Sequence, residues 1–405
     1  MAIAQGVNKQ TRIKRQASKG TLAGVTLGQV MRRKQATFEL AKDIYTTEDE
    51  ITSTQQVKSA RHGVRTVNGS IDGLLSPGTY SDPISSVLRK DFAAVTAIAG
   101  ASITIAGTGP YTVTRAAGSF LTDGIKVGMV VRLTAGTFNA ANLNNNLFVT
   151  AVTALVLTVV TLNASALVAE GPIASATVTV PGKVSYIPDT SQTAIYYTVE
   201  EWYPDIPFSE RNQDVRFTKA SFALPGSGIG TVKLDATGLD QTNATTVYYT
   251  GPTAESTSDP VVAASGILYV NGAAVATVTD LSIDVDGNGN PADGVVGVNI
   301  RPDVFVGKVS VKGQFTAYFD GSSIPSLFLN ETKIAIMSAL LAGSAANADF
   351  ITFAMSNVKL SSSSPDDNQT GLKRTYSFIS LYDGTGGAAL ANYATSLQVH
   401  DSLAA

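Results

Sequence analysis

The chain has 405 residues, of which 44% are hydrophobic and only 15% charged, with a net charge of −3. That length suffices for two or three domains with a sizeable core, and the low charge suggests a surface that is polar but neutral, or covered by partners. There is no cysteine, which excludes disulfides and thiolate metal sites; the two histidines, His62 and His400, stand far apart and read as surface or interface residues.

Charge is unevenly placed. Residues 1–34 carry Lys9, Arg12, Lys14, Arg15, Lys19, Arg32, Arg33 and Lys34 and no acid. Such a basic N-terminal arm either binds nucleic acid or docks on an acidic neighbour during assembly. The scarcity of aromatics to stack on bases favours docking, with Lys9, Arg12, Lys14 and Arg15 as the assembly contacts. An arm so charged and so poor in apolar residues is expected to be disordered until it docks. No apolar stretch follows it, so no signal peptide is expected.

Residues 35–60 read as a long hairpin or extended loop with a polar tip from Thr46 to Glu50. In "VRTVNGSIDGLLSPGTYSDPISSVLR" (64–89), Val67, Gly69, Ile71, Gly73 and Leu75 fall on one face of a strand. A short helix follows, with Asp82 as N-cap, Pro83 at its first position, and Ile84, Val87 and Leu88 as its apolar face.

From Phe92 charges nearly vanish. "SITIAG", "YTVTRA", "GMVVRLTAG", "LFVTAVT" and "LVLTVVTL" read as five or six short strands, a small independent β-barrel or sandwich over residues 92–183 inserted into a host domain. The most apolar run (147–162) is too short to span a bilayer and alternates with Thr. The host domain resumes with "AIYYTVEEWYP" and "VRFTKASFALPG", strands joined by a polar loop from Ser209 to Asp214, and then "TVKLDATGL". Residues 241–264, rich in Thr, Ser, Pro and Gly, read as a linker.

The order then recurs. A hairpin-like pair, 278–286 with 294–301, precedes a strand with Val311, Gly313, Phe315, Ala317 and Phe319 on one face. A helix is expected from Glu331 to Ala342, capped by Asn330, stopped by Gly343, and burying Ile334, Met337, Leu340 and Leu341. "DFITFAMSNVKL" and "LKRTYSFISLYDG" form a last strand pair. Hairpin, strand, helix, strand pair therefore occurs twice, an internal duplication with diverged sequence.

No stretch carries a catalytic signature. "DVDGNGNPADGV" opens like a calcium loop, but Val295 stands where a bidentate Glu belongs, so a turn is the better reading. "GSGIG" (226–230) precedes a strand rather than a helix, which fits a turn and not a phosphate cradle. "EEWYPD" holds the only tryptophan, either an interface anchor or a strand-edge core residue. No enzymatic activity and no cofactor are expected.

Taken together, "VNGSIDGLLSPGTYSDPISSVL", "GSFLTDGIKVGMVVRLTAGTFNAANLNNNLFVTAV", "YYTVEEWYPD" and "VKGQFTAYFDG…LFLNET" resemble the tail tube proteins of long-tailed, siphovirus-type bacteriophages. The resemblance implies a mainly β fold. It would hold two tandem tube-like sandwich or barrel units (35–91 with 184–240, and 265–405), each with one flanking helix, plus the inserted β-barrel. It implies rings that stack into a tube, assembled in the host cytoplasm and carried in the virion tail. The partners it implies are the tape measure protein, the tail terminator, distal tail proteins and DNA in passage to the host, without membrane insertion. The two units suggest homotrimeric rings of pseudo-sixfold form, with a homohexamer as the alternative. The lumen would be lined by 36–60 with 62–72 and by 278–286 with 294–301, exposing Glu39, Asp43, Asp284 and Asp286 to repel phosphates, while the inserted domain lies outside and is dispensable for ring closure. Capsid decoration or another surface-exposed β-rich role, such as an adhesin, is the competing reading.

Overall fold

In the computed structural model, which describes residues 3–51, 53–262, 266–366 and 371–405, seven strands and one helix occur twice in the same order. The first set is β1 (Gln10–Arg15), β2 (Gln35–Thr46), β3 (Ala60–Leu74), α1 (Ser81–Leu88), β4 (Tyr197–Tyr203), β5 (Phe208–Pro225), β6 (Thr231–Gly238) and β7 (Asp240–Ala244). The second is β8 (Gly266–Val270), β9 (Val278–Asp286), β10 (Ser310–Tyr318), α2 (Ser323–Leu329), β11 (Ile334–Leu341), β12 (Phe350–Pro365), β13 (Lys373–Ser380) and β14 (Gln398–Asp401). The expected boundary at 264/265 lies outside the described residues.

Pairing repeats as well. In unit one, β2–β3–β6–β5 form one layer, and the first half of β5 leaves it to pair with β4 and β7, with β1 beyond β4. In unit two, β9–β10–β13–β12 and β8–β11–β12–β14 reproduce both layers. Even the irregularities match. The β4–β5 ladder shifts register between Tyr197 and Val199, and the β11–β12 ladder between Ile334 and Ile336. The β5–β6 ladder shifts between Phe217 and Lys219, and the β12–β13 ladder between Leu360 and Ser362. A bulge bends its strand and re-aims the residues beyond it; here one sits where each long strand passes from one layer to the other.

The units are continuous. β5 pairs with β9, from Lys219↔Asp286 to Pro225↔Asp280. The result is a wall of eight strands in the order β2–β3–β6–β5–β9–β10–β13–β12. Its inner face is apolar because each strand alternates. Val67, Ile71, Leu234, Phe222, Ile283, Phe315 and Phe378 are buried in one core cluster that spans both units. Gly73 lies on that face and is glycine because a Cβ there would run into the hydroxyl of Tyr80, which donates to the Arg32 carbonyl (2.7 Å).

The inserted segment forms a closed six-stranded barrel, in the order Glu170–Thr179, Ile98–Ala106, Tyr111–Arg115, Val156–Thr161, Leu147–Val152, Val130–Ala135, around its own core. It leaves the chain from unit one, after α1, yet it rests on unit two. Val130, Phe148 and Leu162 pack against Met337, Ala339, Leu341, Phe350 and Ala354. The exit strand Lys183–Tyr186 pairs with β14.

Several expectations need correction. The helix expected over Glu331–Ala342 is a strand, β11; Ile334, Met337, Leu340 and Leu341 are indeed buried, but β11 is covered on both faces. The helix of unit two is the preceding Ser323–Leu329. The cap position of α1 is Tyr80, and Asp82 sits within the first turn, where it meets Arg15. Ser209–Asp214 lie within β5 instead of a loop. Residues 294–301 do not pair with β9, whose neighbours are β5 and β10. Residues 241–244 belong to β7, and Tyr249 of the expected linker is buried. His400 is fully buried, while His62 is exposed.

Candidate assembly surfaces

The outer face of the eight-stranded wall is polar. Its register sets side chains in rows. One row runs Gln35, Asp72, Lys233, Ser221, Asp284, Lys312. The next runs Thr37, Ser70, Asp235, Lys219, Asp286, Ser310. Acids therefore face lysines across neighbouring strands, an arrangement that stabilises a sheet modestly. A further row, Ala223, Ser282, Gln314, Ser377, Ser362, carries no charge.

Of the four acids singled out, Glu39 and Asp43 are exposed on β2, and Asp284 and Asp286 are half-buried on β9. Strand alternation puts all four on this polar face. Asp43 reaches Arg301 (3.5 Å), which also donates to Thr66. The lysines of the face, Lys219, Lys233 and Lys312, were not anticipated. The signal for them was present, since each occupies the polar phase of an alternating strand ("FTKAS", "TVKLD", "SVKGQ"), but only the register reveals that each lies opposite an Asp.

Two wall edges are open. Among the described residues, β2 pairs on one side only, with β3, and the last residues of β12, Ser362–Pro365, pair only with β13. Toward its tip the β2–β3 hairpin is exposed on both faces, from Ala41 to Thr46 and from Ala60 to His62, with a bulge between Lys42 and Ile44. It displays Ile44, Tyr45, Ile51 and Val57 to solvent. Unpaired edges and exposed apolar groups of this kind call for a partner.

The basic N-terminal residues have acidic partners within their own chain. β1 pairs with β4 along its whole length. Lys9 meets Glu201 (2.5 Å), and Arg15 meets Asp82 (2.5 Å) and Asp91 (2.7 Å). Lys14 donates to the carbonyls of Gly24 and Thr26. Arg12 is buried against Glu200 (3.4 Å) and the Tyr249 carbonyl (3.0 Å). Glu200 in turn accepts from Ser209 Oγ and from the backbone N–H groups of Tyr248 and Tyr249. Burial pushes the Glu201 carboxyl up, and Lys9 opposes this. Trp202 is half-buried near the end of β4.

"DVDGNGNPADGV" is not the expected hairpin turn: it holds the end of β9 (to Asp286), a break at Gly287 and Asn288, and a short strand Gly289–Pro291. Asp286 accepts from the Asn288 N–H (2.7 Å), and Gly289–Pro291 pairs with Val304–Val306. Among the described residues no group of three His, Asp or Glu could hold a metal ion, and no helix is long and apolar enough to cross a membrane.

No curated protein matches the chain. A family model described as phage tail tube protein matches residues 6–380.

Proposed function

Because the chain belongs to the phage tail tube protein family, and is on that ground a structural protein of the virion tail, we propose that its copies close into rings of three and stack into a siphovirus-type tube through which DNA leaves for the host. The observation that carries the ring reading is the single wall sheet. Each unit supplies four adjacent strands, the units join edge to edge at β5–β9, and one open edge of each kind is left at the ends. Three chains of eight strands would supply twenty-four, with pseudo-sixfold repetition and true threefold symmetry.

In this reading the polar face lines the lumen. Asp72, Asp235, Asp284 and Asp286 stand against Lys219, Lys233 and Lys312 in the same rows, so no continuous cationic track is offered to phosphates. Bound Lys and Arg would otherwise release counterions and hold the duplex in a salt-dependent way. The protein would act as a scaffold without catalysis. Assembly would take place in the host cytoplasm, with the tape measure, tail terminator and distal tail proteins as partners.

Cryo-EM of assembled protein tests the reading. Three chains per ring, with both units of each at the lumen, is the expected result. Six complete chains, with one unit of each at the lumen, would sink it.

A further inference from the structure

The duplication allows the contact between neighbouring chains to be specified residue by residue. We propose that Ser362–Pro365 of β12 in one chain pair antiparallel with Phe38–Ala41 of β2 in a second copy, at the register that β5 and β9 adopt within one chain. The inference rests on the ring reading above and deepens it.

The argument starts from equivalent rows. In unit one, Phe38, Gly69, Ala236 and Phe217 are successive neighbours across β2, β3, β6 and β5. In unit two, Ile283, Gly313, Phe378 and Leu360 are neighbours across β9, β10, β13 and β12. The rows start at different strands and end at the same feature, the residue before the shared bulge: Phe217 before Lys219, and Leu360 before Ser362. Ser362 thus stands for Lys219. Ala41, three residues after Phe38, stands for Asp286, three after Ile283.

Inside the chain Lys219 faces Asp286, Ala220 faces Val285, Ser221 faces Asp284, and Phe222 faces Ile283. Transferred to the open edges, Ser362 faces Ala41, Ser363 faces Leu40, Ser364 faces Glu39, and Pro365 faces Phe38.

Three features fit this register. Side-chain faces agree: Ser362 and Ser364 meet Ala41 and Glu39 on the polar face, and Ser363 and Pro365 meet Leu40 and Phe38 on the apolar one. Backbone phase agrees: the Ala36 carbonyl points out of the β2 edge, where it accepts from Lys9 Nζ (3.0 Å), so Phe38 and Leu40 present their N–H and C=O groups to a neighbour. Proline is tolerated: the Asp366 N–H donates inward to the Lys373 carbonyl (2.9 Å), so Pro365 directs its missing donor toward the open edge. The sheet loses one bond there and keeps Phe38 N–H to the Pro365 carbonyl.

The absence of cysteine makes a direct test clean. Ala41 and Ser362 would be a non-hydrogen-bonded pair, with Cα atoms about 4.5 Å apart, within disulfide reach. Both residues are exposed in the single chain. The double variant Ala41→Cys/Ser362→Cys, assembled and treated with a mild thiol oxidant, should give covalent species ending at three chains on a non-reducing gel. The shifted pair Ala41→Cys/Ser364→Cys should crosslink at least tenfold less. Equal or faster crosslinking of the shifted pair overturns the register and leaves the ring reading intact. So does no crosslink in the first pair while microscopy shows rings. A ladder ending at six keeps the register and overturns the trimer. No rings from unsubstituted protein and no crosslink in either pair overturns both.

Discussion

At the scale of single residues, His400 shows how burial sets chemistry. Its Nδ1 accepts from the Val130 N–H (3.2 Å), its Nε2 donates to the Pro181 carbonyl (2.6 Å), and its ring meets Phe350 edge-on. Burial lowers its pKa to about 4, opposed by the bond to Pro181 and aided by Arg132. The unfolded chain therefore binds the extra proton from about pH 6.5 downward, and the fold loses about 1.4 kcal/mol per pH unit until about pH 4. Asp401, next in sequence, runs the other way. Burial pushes it up to about 6, against the N–H groups of Gly78 and Leu403, so its contribution is present at low pH and is lost as pH rises from about 4 to about 6. The two largely cancel in the intact protein. Substitution His400→Gln should separate them: its destabilisation, measured by urea unfolding, should shrink as pH falls from about 6.5 to about 4. A penalty independent of pH would refute the assignment. Glu200→Gln should cost about 3 kcal/mol or more, because Arg12 would be left buried without its counter-charge and an amide N–H₂ would face backbone donors; a loss under about 1 kcal/mol in the same assay would count against it.

At the scale of elements, legibility followed burial. β3, β10 and the barrel strands were readable because one face is covered, by the main core or by the barrel interior, and the other is less buried, which leaves an alternating pattern. β11 was not. Its residues are covered on both faces, so apolar side chains stand at nearly every position, and Ile334, Met337, Leu340 and Leu341 fit a helical stripe as well as a strand. The first residues were misread for a different reason. Thr11 and Ile13 alternate with Arg12 and Lys14 as a strand requires, but the acids that satisfy the charge, Glu200 and Glu201, lie far along the chain on β4. Glu39, Asp43, Asp284 and Asp286 were named from sequence, whereas Asp72, Asp235 and the lysines opposite the acids were not, because cross-strand pairing is a property of register. The exposed β2–β3 hairpin yields a prediction at this scale. Ile44→Thr with Tyr45→Ser should change the unfolding free energy of the single chain by less than about 0.5 kcal/mol, while shortening or abolishing tubes seen by negative-stain microscopy. Tubes of normal length would show that the exposed apolar pair has no partner.

At the scale of the molecule, the barrel is a brace. It is covalently part of unit one and packs on unit two, so it links the units a second time, apart from the β5–β9 junction. Arg132 and Asn146 donate to the carbonyls of Asn347 and Ala348, Thr352 Oγ donates to the Gly128 carbonyl, and Lys126 reaches the carbonyls of Gly387, Ala388 and Leu390. Replacing the barrel by a linker would uncover Met337, Leu341 and Phe350, a cost of the deletion that composition alone did not reveal. A milder change isolates the joint. Phe148→Ala should cost about 3–5 kcal/mol and increase hydrogen exchange in β11 and in the barrel together. Exchange confined to the barrel would show that the joint is not shared.

In the proposed ring, the continuity of β5 with β9 also bears on how assembly would begin. The equilibrium amount of a closed ring of n separate bodies falls as roughly the n-th power of the free-subunit concentration, by mass action. If the ring has six wall units, joining them in pairs leaves three bodies to meet and makes half of the seams first-order events, formed when the chain folds and independent of supply. A tenfold shortage of protein would then reduce ring yield by about three powers of ten instead of six. In that reading the first ring would be the step most exposed to scarcity, and a sheet that arrives with alternate seams already closed would be least sensitive to it.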